Sequence, residues 1–124
     1  MYPQAQEVIN RNEISSYLLK QGYGVFLPVY DRGIDFIAYR EPDEFLLVQL
    51  KSRWLINKKY QGRNILLAYK DRDHWYLAPH DELVAIASRN GWLERRSWID
   101  GGETSCAKMP KHLWEECQKY RIDT

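Results

Sequence analysis

Apolar and polar positions along this chain alternate with two different periods, and the changes of period mark the expected secondary-structure elements. Over residues 6–21 the apolar positions recur at helical spacing, and the glycine that follows is a typical C-terminal stop, so the pattern predicts a first helix. Short apolar runs bounded by turn residues then predict three strands, at residues 25–29, 34–39 and 45–51.

The second half of the chain alternates less regularly. Residues 54–62 are polar and basic, which indicates a short helix or a loop. Apolar runs predict two further strands, at residues 64–69 and 74–78. Asp81 is placed to cap a helix that runs to about Ser88.

The C-terminal third is ambiguous. Trp92-Leu93 and Trp98-Ile99 fit two short strands around the turn at residues 100–102. Pro110 then opens a final helix. The apolar face of that helix is expected to comprise Leu113, Trp114, Cys117 and Tyr120.

This order of elements predicts an α/β protein. A helix, three strands, a basic connection, two strands, a helix and a C-terminal appendage follow one another without a linker or an internal repeat. The length of 124 residues fits one compact core. We therefore expect one domain over residues 1–124, with its core at about residues 6–88 and an appendage at about residues 89–124.

Composition restricts the classes of function. The net charge is only +1, so an argument for a nucleic-acid partner must come from local clusters. The two cysteines, Cys106 and Cys117, form no Cys-x-x-Cys pair, which argues against structural zinc and favours a reducing compartment. No phosphate-loop motif, signal peptide or membrane-length apolar run is evident, so we expect a cytoplasmic protein without a small-molecule cofactor or a membrane partner.

Three polar side chains interrupt the apolar hairpin predicted for residues 34–51. Asp35 lies at the start of its first strand, and Gln49 and Lys51 lie at the end of its second. Strand residues two apart point to the same face, so Gln49 and Lys51 project side by side. The run that precedes Gln49 is apolar enough to be buried, and buried polar groups need partners.

The length of the hairpin loop decides which residue lies opposite Asp35. A three-residue loop at residues 42–44 places it opposite Lys51, and a loop at residues 41–43 places it opposite Gln49. Either register gathers the three side chains on one face. A two-residue loop would place Asp35 opposite Leu50, on the wrong face unless a bulge intervenes.

The element order and these residues resemble the PD-(D/E)xK nuclease superfamily, also called restriction-endonuclease-like. The superfamily signature is an Asp early in the second strand and a Glu-x-Lys or Gln-x-Lys at the end of the third, which Asp35, Gln49 and Lys51 match. A Glu on the first helix often completes the site, and Glu13 is the matching residue. Residues 21–28 look like the helix-to-strand entry of archaeal Holliday-junction resolvases, and the Gln-x-Lys variant is similar to that of a cyanobacterial intron-encoded homing endonuclease.

The resemblance implies a restriction-endonuclease-like core, in which a central mixed sheet of about five strands is flanked by helices. It implies a metal-dependent DNA endonuclease of the repair, recombination, restriction or homing type, and analogy with small relatives implies a homodimer. The resemblance also implies that Mg²⁺ or Mn²⁺ is held by Asp35, Gln49, the Leu50 backbone carbonyl and Glu13, with Lys51 stabilising charge on the phosphate. The amide of Gln49 removes one negative charge, which is expected to weaken cation binding.

A basic cluster without acidic residues directly follows the predicted site. Cations neutralise phosphates and aromatic rings stack on bases, so the cluster indicates a nucleic-acid surface. The predicted nucleic-acid-binding residues are Arg53, Lys58, Lys59, Tyr60 and Arg63. A solvated connection whose aromatic rings pack on the core is the other interpretation of this segment.

Simpler interpretations exist for each candidate residue taken alone. Asp35 fits a polar cap on a strand, Gln49 and Lys51 fit the solvated end of an edge strand, and Glu13 fits a solvent-facing helical position. Two other functions also stay open. One is a non-catalytic nucleic-acid-binding module on the same fold, and the other is a protein-interaction domain that uses the tryptophan-rich C-terminal third.

Overall fold

A central six-stranded sheet organises the part of the chain that the structure, a computed structural model, describes, namely residues 2–30 and 32–123. The first and last residues of the predicted domain, Met1 and Thr124, lie outside this part. In chain order the elements are α1 (Pro3–Lys20), β1 (Gly24–Phe26), β2 (Phe36–Arg40), β3 (Glu44–Leu50), β4 (Trp54–Asn57), β5 (Ile65–Asp71), β6 (His74–Pro79), α2 (His80–Arg89), α3 (Arg96–Gly101), β7 (Glu103–Cys106), α4 (Lys111–Cys117) and β8 (Arg121–Ile122), with 3-10 turns at Lys58–Tyr60, Trp92–Glu94 and Gln118–Tyr120.

The sheet is mixed, as predicted. Its strand order is β1-β2-β3-β5-β6-β8, in which β3 and β5 pair in parallel and every other neighbouring pair is antiparallel. Parallel pairing of β3 with β5 requires a crossover, and the chain makes it through β4 and the basic segment. The edge strand β8 adds a sixth strand to the five that the sequence predicted.

Helix α1 covers one face of the sheet. Ile14 and Leu18 lie four residues apart, so both point to the same side of the helix and are fully buried there. They pack against Phe36 of β2, Val48 of β3 and Trp75 of β6 in one apolar cluster. Burial of such large side chains is the main stabilising contribution on this face.

The opposite face is covered over only part of its width. Leu67 and Tyr69 of β5 and Tyr76 of β6 are fully buried there beneath α2, α4 and the small sheet formed by β4 and β7. Over β1 to β3 the same face is open, and Phe26 and Phe45 are 56% and 59% exposed. None of the helices in the described ranges is long and apolar enough to cross a membrane.

The structure corrects the predictions for the less regular segments. Residues 54–57 form a strand, β4, because they pair with β7 almost fifty positions later, a long-range contact that local patterns do not reveal. Trp92-Leu93 lies in a 3-10 turn and Trp98-Ile99 in α3, so the strands predicted there are wrong. The predicted cap is also wrong, because Asp81 lies within the first turn of α2, where its carboxylate accepts a hydrogen bond from the Gly62 amide at 3.0 Å.

Candidate functional site

The β2–β3 hairpin adopts the second of the two three-residue registers. Arg40 pairs with Glu44 across a loop of residues 41–43, and Phe36 pairs with Val48. Asp35 directly precedes β2, and its backbone amide donates to the Val48 carbonyl at 2.8 Å. The hairpin therefore brings an acidic residue close to Gln49 at one end of the sheet.

The Asp35 carboxylate is held in place by the backbone of β3. Its Oδ2 atom accepts a hydrogen bond from the Leu50 amide at 2.8 Å. This bond fixes the carboxylate beside the last residues of the strand, next to the Gln49 side chain. A carboxylate positioned by backbone donors keeps its orientation without any help from a ligand.

The Gln49 side chain is buried and incompletely satisfied. The residue is only 7% exposed, and within the described residues its Oε1 atom has no hydrogen-bond partner. Its Nε2 atom makes one long contact, 3.4 Å, to the Leu50 carbonyl. A buried acceptor without a partner costs about 1–3 kcal/mol, so a ligand that pairs with Oε1 would remove this cost.

Three other buried polar atoms lack partners within the described residues, and they differ from Gln49 in chemistry. Two are the indole N–H groups of Trp54 and Trp114, and the third is the Tyr69 hydroxyl. An indole N–H only donates, so it cannot bind a cation. Tyr69 lies in the apolar cluster against α2 and α4, where burial raises the pKa of its hydroxyl. Gln49 is thus the residue with an unpartnered carbonyl oxygen that also lines a cleft.

The cleft has a volume of about 340 Å³ and opens at the ends of β2 and β3. It brings together three of the four residues predicted as catalytic, Asp35, Gln49 and Lys51. The Lys51 backbone is fixed by a 2.8 Å hydrogen bond from its amide to the Ala68 carbonyl of β5. The lining residues are Glu7, Asn10, Arg11, Asp35, Gln49, Leu50, Lys51 and Ser52.

One wall of the cleft comes from the N-terminal half of α1. Glu7, Asn10 and Arg11 are spaced by three and four residues, so they share one side of the helix. Asn10 is buried, and its side-chain oxygen accepts a hydrogen bond from the side-chain amide of Gln6 at 2.8 Å. These residues continue the apolar stripe of the helix from Ile14 towards the N-terminus. Their sequence pattern, polar residues at core-facing positions, could have identified them.

Glu13, the fourth predicted catalytic residue, does not reach the cleft. Its carboxylate accepts a hydrogen bond from the indole N–H of Trp75 and lies 4.0 Å from the Lys70 ammonium. It lines a separate hollow beside β6, because position 13 is rotated about 200° around the helix from Arg11. The helical carboxylate that borders the cleft is that of Glu7.

The basic segment after β3 is exposed except for its tyrosine. Arg53, Lys58, Lys59 and Arg63 are exposed, whereas Tyr60 is 2% exposed. The prediction that Tyr60 stacks on bases therefore conflicts with its burial, and its ring instead packs edge-on against His80, with the centroids 5.5 Å apart.

The N-terminus of α2 anchors this basic segment. The backbone amide of Asn57 donates to the His80 Nε2 atom at 3.1 Å, and the backbone amide of Gly62 donates to the Asp81 carboxylate. Burial lowers the pKa of His80, although the neighbouring Asp81 opposes this effect. A neutral His80 is the form that the Asn57 amide requires, since a protonated Nε2 cannot accept a hydrogen bond.

Comparison with solved structures identifies the fold. No protein-family model and no curated protein sequence matches the chain. A bacterial homing endonuclease, I-Ssp6803I, matches over 97% of this chain and 86% of its own, with 18% identity and a TM-score of 0.56. The Holliday junction resolvase Hjc of Archaeoglobus fulgidus, an archaeal hyperthermophile, matches over 60% of this chain and 72% of its own, with 16% identity and a TM-score of 0.48. The fold of this chain is restriction-endonuclease-like, as the sequence resemblance implied.

Proposed function

We propose that this chain is a DNA endonuclease that hydrolyses phosphodiester bonds with a divalent cation, Mg²⁺ or Mn²⁺, in the cleft at the end of the β2–β3 hairpin. The observation that carries the proposal is the buried, unpartnered Oε1 atom of Gln49 beside the oriented carboxylate of Asp35. The match to a homing endonuclease over nearly the whole chain supports the same activity.

The residues of the cleft fit a hard cation. Such ions prefer oxygen ligands, and the cleft offers the Asp35 carboxylate, the Gln49 amide oxygen and the Leu50 backbone carbonyl. Glu7 adds a carboxylate from the helical wall. When bound, the cation would lower the pKa of a coordinated water molecule and offset negative charge on the phosphate.

Lys51 supplies a positive charge on the same wall as these oxygen atoms. Its ammonium group would bind the scissile phosphate and stabilise the charge that develops as the bond to the leaving oxygen breaks. The backbone bonds of Asp35 and Lys51 to β3 and β5 hold both residues before the substrate arrives. Such preorganisation is what an electrostatic catalyst requires.

The exposed cations after β3 would guide DNA into the cleft. Arg53, Lys58, Lys59 and Arg63 follow Lys51 in the chain and carry charge without a neighbouring acidic residue in that segment. Each phosphate contact makes the affinity for DNA fall more steeply as the salt concentration rises. We assign these four residues to non-specific phosphate binding and remove Tyr60 from the set because it is buried.

A homodimer is part of the proposal. A chain of 124 residues has little surface for recognising a DNA site, and two copies could cut two strands. The open apolar face over β1 to β3, with Phe26 and Phe45 exposed, supports this assembly. Light scattering at increasing concentration tests it, and a monomeric mass at high concentration would reject it.

The test of catalysis is cleavage of supercoiled, linear and branched DNA with Mg²⁺ or Mn²⁺. Lys51→Ala and Asp35→Ala should each lower the cleavage rate by about 10²–10³-fold, as expected when one stabilising group is lost. Lys20→Ala, at the far end of α1, is the matched control and should cut like the wild type. Cleavage by both cleft variants at the wild-type rate would refute the assignment.

A second function, a non-catalytic DNA-binding module, is favoured by two observations. Position 49 carries an amide, and within the described ranges no three carboxylate, imidazole or thiol side chains cluster as a metal site. This function predicts salt-dependent DNA binding but no cleavage with any metal. Calorimetric titration with Mn²⁺, alongside the cleavage assay, separates it from the proposed activity.

A further inference from the structure

The sequence resemblance implied that a carboxylate of the first helix, Glu13, completes the site, but the helical wall of the cleft carries an arginine, Arg11, beside Glu7. Arg11 is exposed, lines the cleft together with Asp35 and Lys51, and forms no ion pair within the described residues. It also borders an adjoining hollow of about 200 Å³, whose lining again includes Asp35. Arg11 therefore borders both of the hollows that Asp35 lines.

The formal charges around the cleft cancel. Glu7 and Asp35 contribute negative charge, and Arg11 and Lys51 contribute positive charge. A divalent cation that enters alone leaves the cleft with two uncompensated positive charges, which makes its binding unfavourable. A phosphodiester brings the negative charge that would offset this excess. The cleft is thus better suited to a cation and a phosphate together than to either one alone.

The chemistry of the arginine side chain matches a phosphate. A guanidinium group is always protonated, and its planar fork of N–H donors matches two phosphate oxygens at once. Arg11 lies on α1 and Lys51 lies at the end of β3, so the two cations approach the cleft from different elements. A phosphate between them would lie next to Asp35 and Gln49.

We propose that Arg11 binds a phosphate of the DNA in the cleft, and that this contact makes cation binding and DNA binding mutually dependent. The proposal rests on the proposed function for the identity of the nucleic acid and the cation. By thermodynamic reciprocity, DNA must tighten the binding of the cation by the same factor as the cation tightens the binding of DNA. The DNA phosphate, held by Arg11, would thus supply the negative charge that a third carboxylate would otherwise provide.

Two binding measurements test the proposal without any cleavage step. The first measures Mn²⁺ affinity in the absence of DNA, from the paramagnetic resonance signal of the free ion. The second measures the affinity for a duplex oligonucleotide in a metal-free buffer over a range of salt concentrations. Both use the full chain as wild type, Arg11→Glu, Arg11→Ala and Arg11→Lys.

Arg11→Glu should tighten Mn²⁺ binding by about tenfold, because a repelling charge is replaced by an attracting one. The same variant should weaken DNA binding and lower the slope of log affinity against log salt by about one. Arg11→Ala should shift both quantities in the same directions by less, and Arg11→Lys should retain the salt slope of the wild type. Arg121→Glu, on the edge strand β8, is the charge-matched control and should leave the affinity for Mn²⁺ unchanged.

Unchanged Mn²⁺ affinity and an unchanged salt slope in Arg11→Glu and Arg11→Ala would overturn the proposal, and so would weaker Mn²⁺ binding in Arg11→Glu. Circular dichroism identifies a variant that fails to fold, in which case Arg11→Ala and Arg11→Lys decide. Failure of the proposed function is distinguishable. If the wild type never cuts DNA but the Arg11 variants show these shifts, the nuclease function is rejected and the role of Arg11 is retained.

Discussion

The two halves of the central sheet differ in how many of their faces are covered. In the closed half, formed by β5 and β6, both faces are covered, and Leu67, Tyr69 and Tyr76 have no exposed surface. In the open half, formed by β1 to β3, only the face against α1 is covered, and Phe26 and Phe45 remain more than half exposed. The boundary between the two halves is the parallel pair β3 and β5, where the chain crosses over.

The cleft lies in the open half, close to this boundary. The N-terminal half of α1 forms one wall of this cleft, whereas the closed half supplies the packing that holds β3 in place through β5. Stability and chemistry are therefore expected to depend on different side chains. The predictions that follow test this division.

The largest effect is expected from a pair of leucine truncations, one in each half. Leu67→Ala removes a fully buried side chain in the closed half and should lower the free energy of unfolding by about 2–5 kcal/mol. Leu27→Ala, after β1 in the open half, removes a side chain that is 60% exposed and should change it by less than about 0.5 kcal/mol. Urea denaturation measures both. Equal losses would contradict the division between the halves.

The sequence predicted the regular part of the fold well. α1, β1, β2, β3, β5, β6, α2 and α4 all lie where their apolar periods placed them, within a few residues at each end. The strand β4 was missed because its stabilising partner, β7, comes from residues 103–106, far along the chain. The segment around Trp98 was misassigned because its apolar residues pack as a short helix on β7. Long-range pairing, which local propensity does not encode, explains the first of these errors.

A smaller effect is expected where the basic segment joins the closed half at His80. Burial lowers the pKa of this residue in the folded chain, so the unfolded chain binds more protons at mildly acidic pH. The stabilisation that neutral His80 contributes is therefore fully present above the unfolded pKa of about 6.5. It decreases as the pH drops below that value. The free energy of unfolding should therefore be lower at pH 5.5 than at pH 7.5.

Thermal or urea unfolding of the wild type and of His80→Gln measures this loss. The glutamine can still accept a hydrogen bond from the Asn57 amide but does not titrate, so its stability should change less over this pH range. A pH dependence that is identical in the two proteins would show that His80 does not carry the effect.

The smallest effect distinguishes two glutamates of one helix. Glu7→Gln removes a negative charge from the cleft and should weaken Mn²⁺ binding by about two- to fivefold, because the residue is exposed and its charge is screened. Glu13→Gln keeps an acceptor for the Trp75 indole and lies outside the cleft, so the affinity should stay the same. Calorimetric titration of both variants tests which glutamate borders the cation.

The candidate site could be predicted in part. Strand alternation and a three-residue hairpin loop placed Asp35, Gln49 and Lys51 on one face, although the register needed the structure, because two positions of that loop fitted the sequence. The helical residue was chosen by resemblance, and the structure places Glu13 against Trp75, outside the cleft. Arg11 was not recognised from the sequence, although, with Glu7 and Asn10, it continues the core-facing stripe of α1 as a polar residue.

The central claim is that Asp35 and Gln49 hold one cation at the end of the hairpin. Crystals soaked in Mn²⁺ and measured by anomalous diffraction test it most directly. The account predicts one strong anomalous peak in the cleft, about 2–2.6 Å from an Asp35 carboxylate oxygen and the Gln49 Oε1 atom. Strong Mn²⁺ peaks elsewhere, with both side chains free of the ion, would contradict it.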